Sequence, residues 1–211
     1  MKTKKGILIT LEGNEGCGKS TQIRLLYAFL KKRHVKVFLT REPGGTKIGD
    51  AIRKVLLDNK NHAMSPTCET LLYMASRAQL VKEVIRPKLR AGYVVLCDRW
   101  LDATVAYQGY AGGVDIEWIC SLGRKATAGA EPRLSLYLDL PVKIGLRRAA
   151  IRKKADRMER KNIRFHEKVR RGFLKIAAAE PKRFRRLAIR EKDSISEIHE
   201  KIKEMTLRAL K

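Results

Sequence analysis

Gly13-Asn14-Glu15-Gly16-Cys17-Gly18-Lys19-Ser20 reads as a glycine, four free positions and Gly-Lys-Ser, the phosphate-binding loop pattern without a mismatch. The glycines let successive backbone N–H groups turn inward around a phosphate chain, which a Cβ would obstruct. Lys19 can reach the outer phosphates as a point charge, and the Ser20 hydroxyl can ligate Mg²⁺. The flanks agree with the motif. Residues 6–12 (Gly-Ile-Leu-Ile-Thr-Leu-Glu) read as a buried strand entering the loop, and residues 19–33 as a helix leaving it. A helix N-terminus aimed at the loop adds partial positive charge to anion binding. The plain alternative is a glycine-rich strand–helix turn with no ligand, and the full pattern in this context weighs against it.

Outward from the loop, short apolar runs alternate with longer helical patterns. Strands are expected over residues 35–40, 93–97 and 135–139, with a weaker one over 184–189. Helices are expected near 48–57, 66–90, 115–128, 142–152, 162–179 and 194–210. Ser65-Pro66 supplies an N-cap hydroxyl and a proline at the first helical position. Pro87 should kink or shorten its helix near Arg86. This alternation predicts an α/β fold of the P-loop NTPase type: a five-stranded parallel sheet with helices on both faces and a short mobile lid. The whole chain, 1–211, is expected to form one domain. Ligands in such folds gather at the carboxyl ends of the strands.

Composition bounds the function classes. No apolar run approaches membrane-span length, and the basic start is followed too soon by Glu12 for a secretory signal, so a cytoplasmic location is expected. Cys17, Cys68, Cys97 and Cys120 are widely spaced and form no Cys-x-x-Cys pair, which points to reduced thiols rather than a metal site. The formal charge is +25, and from Val142 onward 24 Lys and Arg face only 9 Asp and Glu. Nucleic-acid binding is one explanation of such a balance. Without aromatic interleaving or an RNA-binding motif, a solvated basic face is the better one, and no nucleic-acid partner is expected.

The unusual residues fall at strand ends. Arg41-Glu42-Pro43-Gly44-Gly45-Thr46 follows the second strand, Asp98-Arg99-Trp100 the third, and Asp139 closes the fourth. Asp98 can hold Mg²⁺ directly or through water. Arg99 can grip a phosphate bidentately, which lysine cannot do. An Asp–Arg pair that only braces loops is the blander reading. Tyr73 and Arg77, four apart, share a helix face and can together stack on a base and bond its edge, though such a pair is also common as core plus surface charge. Residues 152–161 carry many cations and few apolar groups, so a solvated mobile segment is expected, able to close over a nucleotide. A charged surface turn is the alternative there.

Taken in order, Glu12-Gly13, residues 41–46, Tyr73 to Leu80, and Asp98-Arg99 followed by Ala106-Tyr107-Gln108-Gly109 resemble the thymidylate kinase family of P-loop nucleoside monophosphate kinases. The likeness runs from Ile7 to about Glu159 and continues weakly beyond. It implies transfer of the γ-phosphoryl of ATP to dTMP, giving dTDP and ADP with Mg²⁺, in a cytoplasmic homodimer. It implies an ATP-binding loop of Gly13, Asn14, Glu15, Gly16, Cys17, Gly18, Lys19 and Ser20, with Ser20 and Asp98 as metal ligands. On the acceptor side it implies Tyr73 stacking on thymine, Arg77 at the base edge, Arg99 on the dTMP phosphate and Tyr107 under the deoxyribose. Glu15 would approach the sugar or the metal, and Arg41, Glu42, Thr104 and Gln108 would complete the substrate set. Gly16 and Cys17 bring no cation, so the bacterial-type arrangement is implied. There, with Lys19 and Arg99, the lid arginines Arg152 and Arg157 serve the transferring phosphoryl, helped by Lys153 and Lys154, in a lid of about 150–161. Ala103, Met74 and Arg190-Glu191 depart from the family pattern, so no adenine contacts are assigned. A kinase for another monophosphate such as dUMP, and a nucleic-acid-stimulated ATPase, are the competing readings.

Overall fold

Residues 7–12 alternate along the chain, and their two faces serve two different cores. Ile9 and Leu11 pack on one side with Ile23, Leu26 and Leu30, while Leu8 packs on the other with Leu80, Val95 and Trp100. Two-sided burial of this kind is what a central parallel strand requires. The computed structural model describes residues 6–151 and 155–211. Its strands are β1 (Ile7–Glu12), β2 (Val37–Arg41), β3 (Val94–Asp98), β4 (Leu134–Asp139) and β5 (Phe184–Ala188). They form one parallel sheet in the order β2-β3-β1-β4-β5, with Leu11 beside Asp98 and Glu12 beside Tyr137. The chain runs outward from β1 to β2 on one side and crosses back from β3 to β4 on the other. The crevice at the ends of β1 and β3 is therefore the switch point where ligands bind in such sheets.

The first face is covered by α1 (Lys19–Lys32) and α9 (Ile195–Ala209). The second carries α2 (Lys47–Leu57), α3 (Pro66–Leu80), α4 (Arg86–Arg90), α5 (Leu101–Thr104), α6 (Ile116–Thr127) and α8 (Ile163–Ala179), while α7 (Val142–Ala150) places Ile144 against the first. Here Tyr137 of β4 stacks on Phe173 of α8 at 4.8 Å between ring centroids, with Phe184 beside both. Burial of each such side chain is worth about 1.5–3 kcal/mol. Caps fix the helix starts: Ser65 accepts from the Cys68 N–H, Asn162 from that of Phe165, and Ser194 forms a capping box with Glu197.

The parallel five-stranded reading holds, and two helical expectations change. Pro87 does not break its helix: α3 passes through a wide π-type turn, Val81–Ile85, and runs on as α4. The extra residue in that turn makes room for the proline ring and its missing N–H. The segment after Asp98-Arg99-Trp100, where the sequence suggested no helix, is helical, with α5 continuing as a second wide-turn stretch, Val105–Ala111.

Candidate active site

The phosphate loop is held by close backbone packing. A Cβ on Gly16, at φ 67°, would lie 2.0 Å from the Gly145 carbonyl oxygen of α7, so side chains are excluded on this contact. Gly18, at φ 93°, turns the chain into α1. Lys19 is buried, and its Nζ donates to the carbonyls of Gly13 at 2.7 Å and Asn14 at 2.9 Å, folding the ammonium over the loop. At the next position the Ser20 hydroxyl donates to Asp98 Oδ2 at 3.2 Å, joining α1 to the end of β3.

From this loop a cavity of about 570 Å³ runs along the strand ends. Glu15, Gly16, Lys19 and Ser20 line one end, with Asp98 between. Arg41, Glu42, Tyr73 and Arg77 line the other. Arg99, Thr104, Tyr107 and Gln108 form the wall that links them. Thus most of the residues singled out from sequence share one cavity, while Gly13, Asn14, Cys17 and Gly18 form the loop behind its surface.

Arg99 follows β3 with φ 74°, a left-handed backbone that turns its side chain back over the Tyr107 ring, 4.8 Å from the centroid. Its Nη2 donates to Glu15 Oε1 at 3.0 Å and to the Tyr107 hydroxyl oxygen at 3.1 Å, and that hydroxyl donates to Glu15 Oε1 at 2.7 Å. Burial alone would raise the Glu15 carboxyl, but His166, Arg99 and Lys19 outweigh it and hold it well below the usual carboxylate range. Burial, with Glu15 alongside, pushes the Tyr107 hydroxyl well up and keeps it neutral.

Arg77 is 1% exposed and donates through Nε at 2.9 Å and Nη2 at 2.6 Å to Glu42 Oε2, with Nη2 also reaching Thr104 Oγ1 at 3.0 Å. Glu42 thereby sets the fork of Arg77 from behind. Gln108 Nε2 donates to Glu69 Oε1 at 2.7 Å. Arg41 remains exposed, 3.6 Å from Asp50.

The expectation of an unpacked lid does not hold for residues 155–161. Met158 is buried in the second-face core, and the Arg157 N–H donates to the Leu57 carbonyl at 3.3 Å. The Arg157 guanidinium does not stand over the donor site: it is 5% exposed, bonds the Leu56 carbonyl at 2.8 Å and pairs with Glu69. The buried carboxylate of Glu69 draws it to the acceptor side. Arg152, with Lys153 and Lys154, lies outside the described residues.

The family model for thymidylate kinase matches residues 11–202. The chain belongs to the thymidylate kinase family. It is 52% identical over 186 residues to the thymidylate kinase of Geotalea daltonii, covering 85% of this chain and 87% of that one. It is 43% identical over 209 residues to that of Roseiflexus castenholzii, with 93% and 90% covered. The crystal structure of thymidylate kinase from Ehrlichia chaffeensis superposes with a TM-score of 0.77 at 28% identity, covering 96% of this chain and 99% of that one. Membership of this family accounts for the joint presence of a phosphate loop and a second, cation-lined half to the cavity.

Two site residues escape a reading of the sequence. Arg53 lines the cavity and donates through Nη1 to the Pro43 carbonyl at 2.9 Å. Burial, with Arg41 nearby, lowers its affinity for the proton. The signal was an arginine between Gly49 and Leu56, on the buried stripe of α2. Glu69 shows the same signal, an acidic residue one position from the buried Thr70 on α3.

Proposed function

We propose that this chain transfers the γ-phosphoryl of ATP to dTMP, giving dTDP and ADP. The observation that carries the reading is one cavity with the phosphate loop at one end, Tyr73 and Arg77 at the other, and Arg99 and Tyr107 between them. The loop N–H groups and Lys19 hold the donor, and Arg99 and Arg41 hold the acceptor phosphate. Tyr73 stacks on the base, and Arg77, braced by Glu42 and Thr104, meets its edge. Tyr107 lies under the sugar, where its ring leaves no space for a 2′-hydroxyl. Phosphoryl transfer needs alignment and charge stabilisation rather than a strong base, and these side chains supply both. Arg152 is the lid cation assigned to the transferring group. Arg157 joins it only by leaving Glu69.

Magnesium fits the residues present. Ser20 and Asp98 pair two hard oxygen ligands beside the loop, the chemistry this ion prefers. Among the described residues no group of three or more His, Cys, Asp or Glu could hold a metal by itself, so donor phosphates and water complete the shell. Ser20 and Asp98 would hold the ion there, and it would supply positive charge to neutralise the phosphates. Exposed Ile48, Val55 and Leu71 on the neighbouring helices α2 and α3 support a homodimer through that face. Four free cysteines support a reducing, cytoplasmic setting. Among the described residues no helix is long and apolar enough to cross a membrane.

The test is a side-by-side assay with dTMP, dUMP, UMP and AMP at equal ATP. The expected result is kcat/KM for dTMP above each of the others, with UMP and AMP lowest. A higher kcat/KM for dUMP or AMP would overturn the assignment of the acceptor.

A further inference from the structure

Glu15 is the only acidic side chain of the phosphate loop, and its two oxygens face opposite ways. Oε1 takes the Tyr107 hydroxyl and Arg99, which line the acceptor half of the cavity. Oε2 faces His166 Nδ1 at 3.2 Å. His166 stands in the first turn of α8, is 0% exposed, and accepts through its backbone carbonyl from Asn14 Nδ2 at 3.0 Å. The start of α8 therefore grips two consecutive residues of the loop.

We propose that His166 is a positioning residue for the acceptor: through Nδ1 it keeps the Glu15 carboxylate turned so that Oε1 is presented, with Arg99 and Tyr107, to the sugar side of the cavity. The inference rests on the dTMP kinase reading for the identity of the acceptor. A carboxylate only accepts, so a proton on Nδ1 of the facing imidazole lets the 3.2 Å contact to Oε2 tighten into a hydrogen bond when the acceptor is bound. Among the described residues Glu15 Oε2 and both His166 ring nitrogens make no aligned hydrogen bond, so the 3.2 Å approach of Nδ1 to Oε2 is the one polar contact between them. An imidazole buried with one nitrogen unpartnered is a poor filler of apolar space, where leucine or phenylalanine would cost nothing. Its polar contact is with Glu15, and that contact explains the residue. Without it, Oε2 would lose the one donor group within 3.2 Å, and the carboxylate would be free to rotate.

The experiment compares His166→Leu, which removes the donor, with His166→Asn, whose amide nitrogen stands near the Nδ1 position. His166→Leu should lower kcat/KM for dTMP about tenfold, the loss of one hydrogen bond to a charged group, with KM for ATP within about twofold. His166→Asn should recover most of that loss. In a Glu15→Gln background, His166→Leu should have little further effect, and its cost in urea denaturation should shrink likewise. Equal impairment by Leu and Asn, a dTMP kcat/KM within twofold of wild type in the Leu variant, or additive effects in the cycle would overturn the proposal. A wild-type enzyme preferring another monophosphate would instead sink the acceptor reading, and the same cycle on that acceptor and in urea still decides the His166 contact.

Discussion

At the end of β3 a single residue joins the two halves of the site. Arg99 reaches Glu15 in the phosphate loop and Tyr107 in the acceptor wall with one nitrogen, from a backbone that only a few non-glycine residues adopt. Its planar fork leaves further N–H groups for an acceptor phosphate, whereas an ammonium on a shorter stem serves one partner at a time. Arg99→Lys is therefore expected to lower kcat/KM for dTMP by about 100-fold, roughly 2.7 kcal/mol, while the ATP dissociation constant changes less than about threefold. Steady-state kinetics with calorimetric ATP titration separate the two. A larger loss in ATP binding would move Arg99 to the donor side. The chemistry of Arg99, Lys19, Ser20 and Asp98 was legible in sequence because each stands within a few residues of a strand end or a glycine motif. The positions of Arg157, Glu69 and His166 were not, because their partners lie 88, 39 and 151 residues away in the chain, beyond the reach of any local pattern.

Among the elements, β4, β5 and α8 are tied at one carboxylate. Asp139, 2% exposed, accepts from Arg170 Nε at 2.7 Å, from Arg186 Nε at 2.8 Å and from the Tyr137 hydroxyl at 3.1 Å. Burial alone would raise its carboxyl, but the two arginines outweigh that and lower it below the usual range. A lowered folded value means that the carboxylate stabilises the fold above its unfolded pKa, about 3.9, and that this contribution fades as pH falls through the folded value. Asp139→Asn should cost about 1–3 kcal/mol at pH 7, discounted for the partial exposure of both arginines. The gap from wild type should narrow as pH falls below about 4. Urea unfolding across that range checks it, and a gap independent of pH would show that shape rather than charge holds the three elements. Strands and the Ser65 cap were legible at this scale because short apolar runs and the Ser-Pro pattern are local. The wide turns of Val81–Ile85 and Val105–Ala111 were not. Their extra residue depends on how Pro87 and the glycines near Gly109 pack against neighbours, which periodicity does not report.

For the molecule as a whole, the lining of the cavity decides how ligand binding is felt. Its walls come from Glu15 in the first loop, from α2 and α3, from the segment after β3, and from Asp156, Met158 and Glu159 beyond α7. A ligand seated there touches elements spread over most of the chain, and both cores flank the same sheet. One cooperative unit of residues 1–211 should thus unfold in a single transition, shifted as a whole by dTMP. At about 100 times its dissociation constant a ligand adds about 2.7 kcal/mol, which for a chain of this size raises Tm by about 5–10 °C. Calorimetric scans with dTMP, with AMP and with a short DNA duplex at physiological salt supply the comparison. The expected pattern is one transition, raised by dTMP and unmoved by the other two. Two transitions with only one responding would mean that donor and acceptor halves are separate folding units. A shift with DNA but none with dTMP would mean that the +25 charge serves a polymer. The cavity argues against that last outcome, because Lys19, Arg41, Arg53, Arg77 and Arg99 converge on one pocket rather than line an extended groove.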